Sequence, residues 1–588
     1  MPWIDRKLAA HVAAPPRRAS AGRALLSSAA AATAQLAITA AVVLLAATAA
    51  GTLLAIAAPA LAMSAPATNA PAKKAPAKRA PVKRAPAKKA PVKKAPAKRA
   101  PAKRTQCNAS RKRSIKAAAK AKCPKGSSES PPGPPPKVQV VLTTANLADA
   151  MTTMPRLQFA KRPPGQVPVV RIDDSKRYQT ITGFGGAMTD TSAWLLYDEL
   201  PPTARDAVLS NLFTASGIDL NYVRVPIGST DFAAMGYPYS YDDLPAGETD
   251  PQLTGFSIAH DEAYIIPALQ QLLATSPSTQ VLAGLWSPPP WMKANNAFNN
   301  NAYEGTLLPA FYGPLASYYV KFIGAYQAQG ISIDAITPQN EPRSNSSWPG
   351  MEFPVADEEE WLTQNLGPAL ASAGLHPKIY GLDDSNLADA RAILQSPAAS
   401  MLSGIAWHCY LGMGRMSTLH AQHPSEQEIL SECSPGIIPY STAEVAIDAT
   451  RNWASAVLLW NLALDPSGGP VEVPNYGCFG CTGLVTINEE TGTTRYGLNY
   501  YQLGQVSRYV HPGAQRIASS RFVSDFSNPK AYGVTPGLDD VAFINPDGSR
   551  VLVACNNSPT GHRFAVSWDR YTLRYTLAPS ATVTLIWK

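Results

Sequence analysis

The sequence predicts a parallel α/β fold closed into a (β/α)8 TIM barrel, with a β-sandwich attached and a disordered basic N-terminal region in front. Three observations lead there. Short apolar runs, "LNYVRVPIG", "QVLAGLWSPPP", "SIDAITPQNEP", "PKIYGLDDSN", "GIAWHCY", "QEILSEC" and "AVLLWNLALD", alternate with helical patterns such as "DEAYIIPALQQLLATS" over roughly 300 residues, a span that suits such a barrel. The polar residues fall at the ends of those runs, where barrel enzymes keep their reacting groups. The flanking segments show short β-branched strands and turn signals instead: "VQVVLTT" and "VPVVRIDD" before the barrel, and after Tyr509 a stretch in which Asp547-Gly548 marks a hairpin.

Each element follows in chain order. A chain of 588 residues exceeds one core. Residues 1–62 join Arg6, Lys7, Arg17, Arg18 and Arg23 to a long Ala/Leu/Val run ending in Ala60, Leu61 and Ala62, and read as an export signal or, uncleaved, as a membrane anchor. The expected location is therefore secreted, periplasmic or membrane-anchored. Residues 63–136 repeat "PAKKA PAKRA PVKRA" and end in the proline-rich hinge "SSESPPGPPPK". Proline at every fifth position forbids a regular helix and like charges repel, so a solvated, disordered tether is expected. Residues 137–180 supply the first sandwich strands, 181–505 the barrel and 506–588 the remaining sandwich.

Charge divides the chain in the same way. Residues 1–70 carry net +4 and residues 71–126 carry 21 Lys/Arg with no acid, so within a whole-chain charge of +10 residues 127–588 hold −15. The folded part is acidic and would repel phosphate, and no base-reading element is present, which argues against specific nucleic-acid binding. The basic tail suits anionic membrane or acidic wall polymers, or serves as a soluble spacer.

Two carboxylates stand out at strand ends. Glu341 follows the apolar lead-in "ISIDAIT", and Pro342 after it lacks the N–H needed to extend a ladder. Glu432 closes the run "QEILSE" three strand-like units later. Such a pair can cleave a glycosidic bond, one group protonating the leaving oxygen and the other attacking the anomeric carbon. The order of strand ends favours Glu341 as acid/base and Glu432 as nucleophile, with Asn340 placed to donate to a sugar 2-hydroxyl. This chemistry needs no metal and no cofactor. Trp286, with Trp291 in the same run, and Trp460 beside Asn461 offer indole surfaces for a sugar ring. His408 and Tyr410 come just before the nucleophile strand, where His408 is placed to orient Glu432. Asp231 can accept bonds from sugar hydroxyls, and Arg224 can hold a glutamate ionised.

"ITGFGGAMTDTSAW", "YVRVPIGSTDF", "LWSPPPWMKANN", "ITPQNEP", "HCY", "LSEC" and "LWNLALDPSGGP", in that order, resemble glycoside hydrolase family 30, the family of lysosomal acid glucosylceramidase, from about Lys137 to Lys588. The resemblance implies a (β/α)8 barrel with a β-sandwich and a retaining mechanism on β-glycosides. It implies Glu341 as acid/base, Glu432 as nucleophile, and Asp231, Trp286, Asn340 and Trp460 around the non-reducing sugar. His408 and Tyr410 match supporting positions and Asp383 a position at the site's edge. The substrate it implies is a β-glucoside or glycolipid of the glucosylceramide type; the alternatives are β-1,6-glucan, a β-xyloside, or carbohydrate binding without catalysis. Cys409 stands where animal lysosomal members have Trp, which would reshape the wall beside the nucleophile. The stretch from Cys433 to Leu459 is shorter than in those members. The insert "NYGCFGCTGLVTIN" is similar to bacterial-type members, several of which cut β-1,6-glucan.

The remaining signals are local. Among seven cysteines, Cys478 and Cys481 form a lone CxxC, a weak zinc signal and a better local disulfide in an exported protein; Cys107 with Cys123 can close a loop in the tail. Asn108 and Asn345 stand in N-x-S acceptor motifs. "GFGG" at 183–186 has the wrong spacing for a dinucleotide site and is expected to make a tight turn.

Overall fold

The structure, a computed structural model, describes residues 134–472, 478, 480–520 and 537–588. The expectations placed on residues 1–133, namely the signal or anchor, the repeat, Asn108 and the Cys107–Cys123 pair, lie outside the described residues. Among the described residues no helix is long and apolar enough to cross a membrane.

Eight parallel strands close into a barrel: β1 (Gly183–Ala187), β2 (Tyr222–Ile227), β3 (Gln280–Leu285), β4 (Ala335–Thr337), β5 (Lys378–Asp384), β6 (Gly404–His408), β7 (Gln427–Glu432) and β8 (Ala454–Leu459). Each pairs with its sequence neighbour, and β8 returns to β1 through Ala456↔Gly183 and Leu459↔Gly186. "GFGG" is thus not a turn but the body of β1. The reason is crowding: a Cβ on Gly185 would fall 1.9 Å from the Tyr222 carbonyl oxygen, so only glycine lets β1 lie against β2 at this point.

Period-2 alternation sorts each strand's side chains between the barrel interior and the helices outside. Tyr222, Leu282, Ala335, Tyr380, Ala406, Ile429, Ala456 and Leu458 form one apolar cluster inside. Val223, Val225, Ile405, Leu430 and Val457 pack outward into the main core, with Leu269 and Leu272 of helix Ala259–Thr275 and Phe322 of helix Tyr312–Ala328. Two residues beyond the apolar cluster, toward the strands' C-terminal ends, stand Arg224, Thr337, His408 and Ser431.

The second unit is a nine-stranded β arrangement in the order Tyr571–Leu577, His562–Trp568, Val169–Thr180, Gln515–Ser519, Leu538–Ile544, Arg550–Asn556, Thr582–Trp587, Lys137–Thr143, Thr152–Gln158. Strands from before and after the barrel share one core, in which Phe159 meets Trp587 edge-on at 5.5 Å. Asp547-Gly548 does turn a hairpin: Ile544 pairs with Arg550, and Gly548 has φ 80°. The sandwich is tied to the barrel by the Arg451–Asp540 ion pair (2.8 Å) and by Gln505, which donates to Thr143 Oγ1 (2.8 Å) and accepts from Thr584 Oγ1 through its backbone carbonyl (2.6 Å).

Candidate active site

Arg224 anchors the polar layer. It projects from β2, is fully buried, and its guanidinium distributes hydrogen bonds to Glu432 Oε2 (2.5 Å), Asn340 Oδ1 (2.7 Å) and Asp383 Oδ2 (2.8 Å). Room for this fork comes from β3: a Cβ on Gly284 would meet Thr337 Oγ1 at 2.6 Å and Asp383 Oδ2 at 3.5 Å. Asp383 also accepts from Thr337 Oγ1 (2.6 Å), Ser431 Oγ (2.6 Å) and His408 Nε2 (3.3 Å). Burial alone would raise its carboxyl. The Arg224 charge and the bonds from His408 and Ser431 outweigh that and hold it well below the usual range.

The two glutamates meet above this layer. Glu432 ends β7, and Glu341 lies four residues past β4 with φ 44°, a left-handed conformation held by its N–H on the Asp383 carbonyl (3.0 Å). Oxygen atoms of Glu341 and Glu432 and a ring nitrogen of His408 all lie within 4.8 Å of one another. Tyr410 donates to Glu432 Oε1 at 2.8 Å. His408 Nδ1 stands 3.1 Å from Glu341 Oε1 and 3.6 Å from Glu432 Oε1. Burial would lower the imidazole's pKa, but Glu432, Asp383 and Glu341 raise it well above its ordinary value. Both ring nitrogens face carboxylates, Nδ1 toward Glu341 and Glu432 and Nε2 toward Asp383. This trio is the one group of three His, Cys, Asp or Glu side chains among the described residues close enough to share an ion.

A cavity of about 430 Å³ opens onto the pair, lined by Asp231, Trp286, Asn340, Glu341, Ser344, Trp348, Tyr410, Glu432, Ile437, Trp460 and Cys478. Trp286 and Trp460 stack on each other, centroids 5.1 Å apart and 19° from parallel, and the Arg224 guanidinium lies 4.5 Å over Trp286. Each indole thus gives the cavity only the surface that these contacts leave free. Burial, with Glu432 and Glu341 nearby, raises the Asp231 carboxyl well above the usual range.

The structure brings Asp231, Trp286, Asn340, Glu341, Tyr410, Glu432 and Trp460 to one cavity, with Arg224 and His408 directly beneath. Three expectations need correction. Asp383 is not at the edge but fully buried under the pair, because the backbone at Leu382 and Asp383 takes positive φ and the β5–β6 register shifts there, turning the side chain inward. Asn461 is fully buried and does not line the cavity, and neither of its amide atoms has a hydrogen-bond partner. Trp291 turns away too, its indole N–H donating to the Asp242 carbonyl (3.0 Å).

Several contributors were not singled out from sequence: Thr337, Ser431, Gly284, Trp348, and Gln339, which donates to the Trp286 carbonyl (2.6 Å). Asp384 is another, raised to about 6 by burial and then by Glu341. Thr337 and Ser431 each stand at a strand end within a few residues of a glutamate, the one signal that could have marked them. Cys478 and Cys481 do form a disulfide, and a second, not foreseen, joins Cys409 to Cys433.

A model described as the glycosyl hydrolase family 30 TIM-barrel domain matches residues 181–510, and one described as the family 30 beta sandwich domain matches residues 513–585. The chain is 35% identical over 397 residues to an endo-1,6-beta-D-glucanase of Neurospora crassa, covering 66% of this chain and 81% of that protein. It is 28% identical over 449 residues to the lysosomal acid glucosylceramidase of Mus musculus, covering 71% and 83%. Among solved structures, the endo-beta1,6-glucanase BT3312 superposes with a TM-score of 0.66 at 28% identity, over 77% of this chain and 99% of that one.

Proposed function

The chain belongs to glycoside hydrolase family 30 and is a retaining glycoside hydrolase, and we propose that its substrate is a β-1,6-linked glucan, cut by double displacement with Glu432 as nucleophile and Glu341 as acid/base. The observation that carries the mechanism is the closeness of the two carboxyls. An oxygen of each lies within 4.8 Å of an oxygen of the other, and carboxyls about 5 to 5.5 Å apart leave no room for a water between nucleophile and sugar, as a covalent glycosyl-enzyme requires.

In the first step a Glu432 oxygen bonds to the anomeric carbon while the glycosidic oxygen leaves with the Glu341 proton. In the second, Glu341 takes a proton from water, whose oxygen displaces Glu432 at the same carbon. Arg224 and Tyr410 donate to the two oxygens of Glu432, an acceptor pattern that suits a carboxylate. Arg224 also fixes the Asn340 amide: because Oδ1 accepts from the guanidinium, Nδ2 is left as a donor for the sugar 2-hydroxyl.

The choice of linkage reverses the order of substrates suggested by the sequence. It is supported by relatives named endo-1,6-beta-D-glucanase at 35, 32 and 32% identity, against 28% for the glucosylceramidase of Mus musculus, and by Cys409 in place of the animal members' Trp. A panel of β-1,6-glucan oligomers, glucosylceramide, aryl β-glucoside and aryl β-xyloside, assayed on the full chain, tests it. The highest kcat/KM among the natural substrates is expected on the β-1,6 oligomers; a higher value on glucosylceramide would overturn the choice of linkage and leave the mechanism standing.

From sequence alone we also propose that the protein is exported and that the basic repeat contacts anionic membrane or wall polymers. Mass spectrometry of the mature N-terminus tests the first, and salt-sensitive retention on anionic vesicles, compared with neutral ones, tests the second.

A further inference from the structure

Cys409 directly follows His408 at the end of β6, and Cys433 directly follows Glu432 at the end of β7. A disulfide joins them with Cα atoms 5.3 Å apart, and both are buried. The backbone pairing of these strands ends here: after a register shift between Leu430 and Glu432 the last pair is His408 with Glu432, followed by a bond from the Cys409 N–H to the Glu432 carbonyl at 3.3 Å. The covalent link takes over where the ladder stops. The next residue on each side is also in the site, since the Tyr410 hydroxyl lies 2.8 Å from Glu432 Oε1 and 3.2 Å from Ser434 Oγ. The Cys433 carbonyl accepts from the Trp460 N–H at 2.9 Å, so the same link reaches the indole wall of the cavity.

We propose that Cys409–Cys433 is a positioning element for the nucleophile: it holds the Tyr410 hydroxyl on Glu432, and opening it lowers turnover while the fold persists. The proposal rests on the reading of Glu432 as nucleophile. A dithiol opens the link by supplying two electrons and two protons. The S–S bond breaks, two thiols form, and the reductant leaves as its own cyclic disulfide. Tyr410 is then free to pair with Ser434 or water. The charged and titratable groups that face Glu432 from other elements stay in place: Arg224 on β2, Asp231 after β2, Glu341 after β4 and His408 on β6. The change is thus confined to one donor to the carboxylate.

The test uses the full chain carrying Cys409→Ala with Cys433→Ala, Tyr410→Phe, all three together, and Cys555→Ala as a buried-thiol control. A digest of unreduced wild type comes first and is expected to show Cys409 linked to Cys433; separate peptides would overturn the proposal. With an aryl β-glucoside, the paired alanine variant is expected to lose roughly tenfold in kcat with KM little changed, and the acidic limb of its pH profile moves to higher pH, since a bond to the charged form is lost. Tyr410→Phe should match it, and the triple variant should be little worse than either, because both changes remove the same bond. A fall in Tm with kcat and the acidic limb unchanged would reduce the disulfide to a structural staple, and losses that simply multiply would contradict its acting through Tyr410. If the paired variant does not fold, native wild type is treated with dithiothreitol and the opened sulfurs are mapped by alkylation. Activity that falls on opening Cys409–Cys433 and returns on reoxidation, with circular dichroism unchanged, supports the proposal; activity that survives opening overturns it. Glu432→Gln, assayed alongside, separates failures: activity retained there removes the nucleophile assignment itself.

Discussion

β7 carries two buried glutamates four residues apart, Glu428 near its N-terminal end and Glu432 at its C-terminal end, and they inhabit opposite chemistries. Glu432 receives donors from Arg224 and Tyr410 and faces His408. Neither oxygen of Glu428 accepts a hydrogen bond of ordinary geometry, and its polar neighbours are the Trp407 side chain and His420 Nδ1, 3.8 Å away. Burial pushes the Glu428 carboxyl up to about 9, against a smaller opposing pull from Trp407, so it is neutral at physiological pH. The same residue type on the same strand is met by charged and hydroxyl donors at one end and by an apolar setting at the other. What differs is the side of the strand: alternating with Ile429 of the interior cluster, Glu428 faces outward beside Trp407 and His420, whereas past the register shift between Leu430 and Glu432 the Glu432 carboxylate reaches Arg224 in the polar layer.

The comparison breaks first at Glu432. Glu432→Gln is expected to lower kcat by at least about 10³-fold on every substrate, since no glycosyl-enzyme can form, while Glu428→Gln keeps kcat within about twofold. A comparable loss at both positions would mean that the strand, not the site, had been damaged. Glu341→Gln comes next. About 10²-fold or more should be lost on unactivated glucan and far less on an aryl glucoside whose aglycone departs without a proton. Azide should partly restore turnover of that aryl glucoside by Glu341→Ala, because a small anion needs no base. Equal losses on both kinds of substrate would remove Glu341 from the acid's role.

Arg224 sharpens the contrast by linking activity to stability. Arg224→Met leaves Asp383 and Glu432 buried without their cation, and removing one partner of a buried pair costs about 3–5 kcal/mol. Urea unfolding of the variant should register that loss. Midpoints that coincide with wild type would mean the guanidinium is replaceable by water.

The smallest effect is at Glu428 and has the opposite sign. Its folded pKa is raised, from about 4.5 to about 9. Below 4.5 both states are protonated and nothing is lost. As pH rises through that window the unfolded chain ionises and the folded one does not, so wild type loses stability that Glu428→Gln retains. At pH 8 the variant should be more stable by roughly 1–3 kcal/mol, and the difference should vanish near pH 4. A variant no more stable at pH 8 than at pH 4 would show that Glu428 has a partner when folded.

How much of this was readable beforehand follows from the same contrast. Strand ends are legible because apolar runs stop at polar residues and prolines, and this located both glutamates, Trp286 and Trp460, though not Trp348. The sandwich hairpin was legible from Asp547-Gly548 because that dipeptide suits the backbone its turn needs. The partnerships were not. Which side chains meet inside a barrel depends on the register between strands, and no local pattern states that Arg224 reaches Glu432, Asn340 and Asp383 at once. Asp383 was misplaced because its inward turn depends on two positive-φ residues that are not glycine. "GFGG" was misread because glycines placed for crowding look like glycines placed for a turn. Cys409 was seen as a departure from animal relatives, yet its partner Cys433, 24 residues on, became visible only once β6 lay beside β7.

The central claim is that Glu432, and not its neighbour on the strand or its partner across the cavity, forms the bond to the sugar. Its most direct test is to incubate the full chain with a 2-deoxy-2-fluoro-β-glucosyl fluoride, whose glycosyl-enzyme hydrolyses slowly. The intact mass should rise by one fluoroglucosyl group. Trypsin leaves Glu428 and Glu432 on the same peptide, bounded by Arg415 and Arg451, so fragmentation must assign the label. A label on Glu432 is predicted. A label on Glu341 or Glu428, or inactivation with no added mass, would contradict the assignment.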